Sequence, residues 1–130
     1  MTHKIEWLKL DRVLLAEFSG HQTEEALRAC LDEMAAIFDT CDSPVVALID
    51  WRGVTQRDLK SLLNMHGHRA YSHPMAARSV LVGMDKLAQF ENEISAVKTR
   101  QTKNTQYYDT MEEAMVYLNQ MFVDEPSQSS

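Results

Sequence analysis

No stretch of this chain approaches the ~20 apolar residues that a membrane-spanning helix needs. The opening residues, MTHKIEWLKL, are broken by charge at once, so a secretory leader is not expected and a cytoplasmic location is. Cysteine is sparse, with only Cys30 and Cys41. If Cys30 lies in a helix running to about residue 39, a rise of ~1.5 Å per residue puts the two beyond disulfide reach. Both are expected as free thiols, as in a reducing compartment. Glycine-rich phosphate loops are missing: there is neither G-x-x-x-x-G-K-[ST] nor G-x-G-x-x-G. No G-x-S-x-G elbow presents a hydrolase serine. These absences leave no expectation of an enzyme or a cofactor.

What is present is an ordinary globular composition, 45% hydrophobic and 25% charged in 130 residues, enough for one domain with its own core. A net charge of -6 argues against nucleic acid and against anionic membranes as general partners. The charges are segregated along the chain. Glu24, Glu25, Asp32, Glu33, Asp39, Asp42 and Asp50 face only Arg28, whereas Arg52, Arg57, Lys60, Arg69 and Arg78 face only Asp58. Two readings are open: solvated helix faces, or a basic region around Arg52, Arg57 and Lys60 on which an acidic protein partner docks.

Hydrophobic patterning gives the order ββαβαβαβα. KIEWLKL and RVLLAEF read as a hairpin around Asp11. Thr23 caps a helix with Leu27, Cys30, Leu31, Met34, Ile37 and Phe38 at helical spacing, and Pro44 bars its continuation. VVALID is apolar without alternation, the mark of a strand covered on both faces. Thr55 is expected to cap the next helix, whose inner face would be Leu59, Leu62, Leu63, His66 and Ala70. A strand at Ser79–Val82 precedes a third helix from Asp85, expected to turn Leu87, Phe90, Ile94 and Val97 inward. TQYYD is a short edge strand, and Thr110 to Glu113 form a capping box for the last helix. The expected fold is α/β: a five-stranded mixed sheet with four helices, its first strand antiparallel. The domain is expected over residues 1–123, with a disordered tail at 124–130.

In such a sheet, sites gather at the carboxyl ends of the parallel strands. Gly20, Gly53 and Gly83 mark turns there, which would collect His21, Asp50, Trp51, Arg52, Thr55, Arg57, Asp85 and Lys86. Asp50 offers a carboxylate for acid–base work, but no partner is specified, so an aspartate accepting loop amides is the plainer reading. HGHRAYSH tempts a metal reading, yet His66 and His68 stand two apart, a spacing that points apart on a helix. No metal-ligand spacing is present and none is expected to bind. Met111, Met115 and Met121 on the last helix read as core filler or, if the chain dimerises, a shared patch.

The ordered set VVALIDWRGVTQRDL, RSVLVGM and YYDTMEEAMVYL resembles SpoIIAA-like proteins of the STAS/SEC14 superfamily, over about Ile5 to Asn119. The resemblance implies a small α/β domain related to anti-sigma-factor antagonists, in which a strand ending in aspartate leads to the regulatory loop. Phosphoregulated members carry Asp-Ser-Ser-Gly in that loop. The corresponding stretch here is TQRDLKSL, and if Asp58 matches the motif's aspartate, Leu59 stands at the phosphoserine position. The resemblance therefore implies a non-catalytic regulatory or protein-interaction domain without the phosphosite. Its SEC14 side implies the alternative, a carrier for a small apolar ligand or lipid, in a pocket lined by Met34, Phe38, Phe90 or Met115. The resemblance also implies that a homodimer is plausible.

Overall fold

The computed structural model describes residues 2–65, 67–97 and 105–123. His66, the polar loop at 98–104, the side chains of Ser95, Ala96, Val97, Phe122 and Val123, and the tail at 124–130 lie outside the described residues. The order is β1 (His3–Lys9), β2 (Val13–Gln22), α1 (Glu24–Phe38), β3 (Val45–Arg57), a 3-10 turn (Leu63–Met65), α2 (Arg69–Ser72), β4 (Ala76–Val82), α3 (Lys86–Val97), β5 (Thr105–Tyr108) and α4 (Met111–Val123). The sheet runs β1-β2-β3-β4-β5. β1 pairs antiparallel with β2, and the remaining three pairings are parallel. The α/β architecture with a five-stranded mixed sheet and four helices is the one expected. No helix among the described residues is long and apolar enough to cross a membrane.

The central strand explains why VVALID does not alternate. Val45, Ala47, Ile49 and Trp51 join one core cluster with Phe18, Leu27, Met34 and Phe38 under α1. Val46 and Leu48 point the other way, into a second cluster with Val80, Val82, Ala114 and Leu118 under α4. Both faces of β3 are therefore buried, as period-2 geometry and a two-sided cover require. Two of the three expected threonine caps form. Thr23 Oγ1 accepts the Ala26 amide at 3.0 Å. Thr110 Oγ1 accepts the Glu113 amide at 3.2 Å, while Glu113 Oε1 accepts from the Thr110 amide at 3.2 Å. Both cysteines are free.

Two expectations fail here. Thr55 does not cap a helix; it lies exposed within β3, which continues to Arg57 in parallel pairing with Gln22. The extension is possible because β3 is bulged. Between Glu17↔Asp50 and Ser19↔Gly53, β3 advances three residues to β2's two, and a second slip comes at His21↔Gln56. Gly53 is part of this strand rather than a turn, and its missing side chain matters: a Cβ there would sit 2.9 Å from the Phe18 carbonyl oxygen. Beyond β3 the chain forms a short 3-10 turn and then a four-residue α2. Leu62 and Ala70 are buried as expected, but Leu59 is 74% exposed.

The second failure is α3. Its buried residues include Ala88, Glu91 and Asn92, whereas Leu87 and Phe90 are 52% and 63% exposed. The first half of the apolar stripe, Leu87 and Phe90, faces outward, and Ile94 is half-buried. Two polar contacts hold the helix this way round. Glu91 accepts from Arg57 Nη1 at 2.8 Å, and Asn92 Oδ1 accepts from the Tyr71 hydroxyl at 2.9 Å.

Candidate functional site

The carboxyl edge of the sheet is built around the first bulge of β3. Asp50 comes two residues after Leu48 on the α4 face, and the extra residue at the bulge folds Arg52 back over it. Arg52 Nε donates to Asp50 Oδ1 at 2.9 Å and Nη2 to Oδ2 at 2.9 Å, and the Arg52 amide also donates to Oδ1 at 3.1 Å. The carboxylate is buried, whereas the Arg52 side chain is 50% exposed. The Arg52 hydrogen bonds hold the Asp50 carboxyl below its usual range against the opposing effect of burial. Asp50 hydrogen bonds raise the Arg52 guanidinium in turn. Gly83 closes the arrangement from β4. At φ 77 its backbone passes so near that a Cβ would lie 2.7 Å from Arg52 Cγ.

The other expected residues are spread over several environments. Trp51 points to the opposite face, is buried, and lies with its ring centroid 5.0 Å from that of Phe18. Asp85 Oδ1 accepts the Ala88 amide at 2.7 Å, capping α3. Lys86, the first residue of α3, is exposed. Thr55 is exposed in the extended part of β3. His21 and Asp58 meet at 2.6 Å, closing the far end of the β2–β3 pair.

Arg57 is not available to an acidic partner. Its pair with Glu91 leaves the two side chains only 10% and 5% exposed. Of the expected basic docking region, Arg52 and Lys60 remain at the surface. Part of the acidic block is met by the chain's own groups at the surface. The acidic flank of α1 faces the segment from the 3-10 turn to α2. Asn64 donates to Glu24 at 2.7 Å, His68 meets Asp32 at 2.7 Å, and Arg69 and His73 share Asp39 at 2.7 and 2.8 Å. These bonds hold Asp39 down to about 2, the Arg69 hydrogen bond contributing most and His73 next. Among the described residues no group of three His, Cys, Asp or Glu side chains could hold a metal ion.

A cavity of about 70 Å³ lies between the sheet and the helices α1, α2 and α3. Met34, Phe38 and Trp51 line its apolar side, and Tyr71, Asn92 and Thr105 its polar end. Binding pockets for drug-sized molecules measure ~300–1,000 Å³, so this space suits a few waters or a very small apolar molecule rather than an acyl chain. Phe90 and Met115, also expected to line a pocket, do not. Phe90 is exposed, and Met115 packs in the cluster on the α4 face. Sequence reasoning missed the polar chain behind the cavity. Tyr71 donates to Asn92, Asn92 Nδ2 donates to the Tyr107 hydroxyl at 3.0 Å, and Tyr107 donates to Glu93 at 2.8 Å. Burial pushes both tyrosine hydroxyls upward. No local motif marks this chain, since its members come from three separate elements.

The sheet order, the bulged central strand and the helix cover can be set beside known structures. An uncharacterised protein of the DUF3478 family with a SpoIIAA-like fold, from Shewanella loihica PV-4, superposes with a TM-score of 0.60. The match is at 17% identity and covers 89% of this chain and 91% of that one. The fold is SpoIIAA-like. The anti-sigma factor antagonist SpoIIAA in its unphosphorylated form matches with a TM-score of 0.57 at 9% identity, over 91% of this chain and 97% of its own. No family model and no curated protein matches the chain. Within this SpoIIAA-like frame, Asp58 bonds His21, Leu59 is exposed, and Ser61, the nearest hydroxyl after it, is fully buried.

Proposed function

We propose that this chain is a non-catalytic regulatory domain that works by binding a protein partner at its carboxyl edge, without a phosphoserine switch. The observation that carries the reading is the Asp50–Arg52 pair. Asp50 has both carboxylate oxygens bonded to Arg52 and a low proton affinity, which suits it poorly to act as a general base. Arg52 is held in one geometry by that carboxylate and still shows half of its side chain to solvent. Asp50 takes the Nε–Nη2 side of the guanidinium, and the Nη1–Nη2 edge that remains suits a carboxylate on a partner. Lys86 adds a second exposed cation at the start of α3. Leu59 and the buried Ser61 leave no accessible serine just after β3. The likeness to an anti-sigma factor antagonist supports the regulatory class. The two free thiols suit a cytoplasmic setting.

Cross-linking in cells that express the tagged protein, followed by quantitative mass spectrometry, tests this. The expected result is one protein recovered in stoichiometric amount with the native chain and lost with the double variant Asp50→Asn/Arg52→Gln, which removes the guanidinium without leaving a buried carboxylate unpaired. Recovery of the same proteins by both forms would overturn the reading.

A further inference from the structure

We propose that the outward apolar stripe of α3 is a self-association surface, on which a second copy of this chain packs its own α3 antiparallel about a two-fold axis at Phe90. Helices of soluble proteins turn their apolar stripe inward. α3 buries Glu91 and Asn92 beside Ala88, leaves Ile94 half-buried, and exposes Leu87 and Phe90. At 100° per residue, Leu87, Phe90 and Ile94 lie within one 60° sector, and Lys86 and Glu93 form the rim beside it.

The second copy is the occupant because this surface complements itself. A two-fold axis through Phe90 reverses the helix and keeps each rim on its own side. At ~1.5 Å per residue, Lys86 lies ~6 Å before Phe90 and Glu93 ~4.5 Å after it, so each Lys86 comes level with Glu93 of the other copy. On the opposite rim Leu87 meets Ile94 of the other copy by the same arithmetic, and the two Phe90 rings sit at the centre. Tyr107 donates to Glu93 Oε2 at 2.8 Å and so orients that carboxylate beforehand. One helix pair buries less than the ~1,200 Å² of a standard interface, so a weak, concentration-dependent dimer is expected.

Sedimentation equilibrium from 5 to 500 µM in 0.15 M salt is the test. The native chain should move from 14.9 kDa towards twice that mass. Phe90→Asp should raise the half-association concentration about 30-fold or more, as loss of a central aromatic anchor does. Phe90 is exposed, so the variant should keep the native circular dichroism and melting temperature. Lys86→Glu alone should weaken the dimer, and Lys86→Glu combined with Glu93→Lys should restore it. A single-chain mass throughout, or a dimer indifferent to both Phe90→Asp and Lys86→Glu, would overturn the proposal.

Discussion

Arg57 at the end of β3 and Glu91 in the middle of α3 form a closed ion pair at 2.8 Å, and Glu91 also lies 3.4 Å from the Leu63 amide. The pair ties three elements together and fixes which side of α3 faces the sheet. Removing one partner of such a pair strands a buried charge, which costs about 3–5 kcal/mol. Glu91→Ala should therefore lower unfolding free energy in urea by that order. Arg57→Met with Glu91→Leu should recover most of the loss. A double-mutant cycle with no coupling would show that the pair does not orient the helix.

Gly83 should tolerate no side chain. Alanine there would adopt φ 77 and meet Arg52 at 2.7 Å. The left-handed backbone alone costs about 1–2 kcal/mol, and the contact adds to it. A double-mutant cycle of Gly83→Ala with Arg52→Ala, which subtracts the cost of leaving Asp50 unpaired, should show a coupling equal to the second part alone, readable from urea unfolding.

Thr55 gives a contrast of opposite sign. A helix cap would lose about 1 kcal/mol on substitution by alanine. An exposed strand threonine loses a few tenths. Thermal melts of Thr55→Ala should show the smaller change.

Acid should loosen the α1 flank at a definite place. Asp39 titrates in the fold at about 2, below the ~3.9 of an unfolded aspartate. The stability it contributes is present above about pH 4 and is lost as pH falls towards 2. Asp50, also lowered, acts in the same direction. Asp39→Asn should flatten the acid limb of a stability-against-pH curve in that window, and an unchanged limb would count against the assignment.

Thiol chemistry should separate the two cysteines. Burial, with a smaller contribution from Glu33, pushes the Cys30 thiol up to about 12, and Cys30 has no exposed surface. Cys41 is partly exposed and only raised. Titration with a chromogenic disulfide should find one thiol reacting in the native protein and two in denaturant.

How far the sequence could be read depends on the kind of requirement each signal reports. VVALID, the Thr23 cap and the Thr110–Glu113 box report local requirements, and each forms where expected. The Leu87–Phe90–Ile94 period reports a stripe, not its direction; that is set by Arg57, some thirty residues earlier. Thr55 with Asp58 three residues on looks like a cap, but two bulges let β3 keep pairing with β2 through Gln22. The charge blocks suggested a surface for a partner. Much of their meaning is internal, since Asp32 and Asp39 meet His68 and Arg69 across the α1 flank. At the carboxyl edge, the Asp50–Arg52 pair needed the bulge, which no local motif announces.

Strand order in the sheet equals strand order in the chain. A polypeptide leaving the ribosome can thus add each strand to a neighbour already made, with no gap held open for a later segment. The two faces do not mature together. α1 shelters Phe18 and Ile49 early, but Val46, Leu48, Val80 and Val82 wait for α4, the last helix. Until those final turns emerge, these four side chains lie bare on one face of the nascent sheet, and it is in this interval that the chain is most open to aggregation.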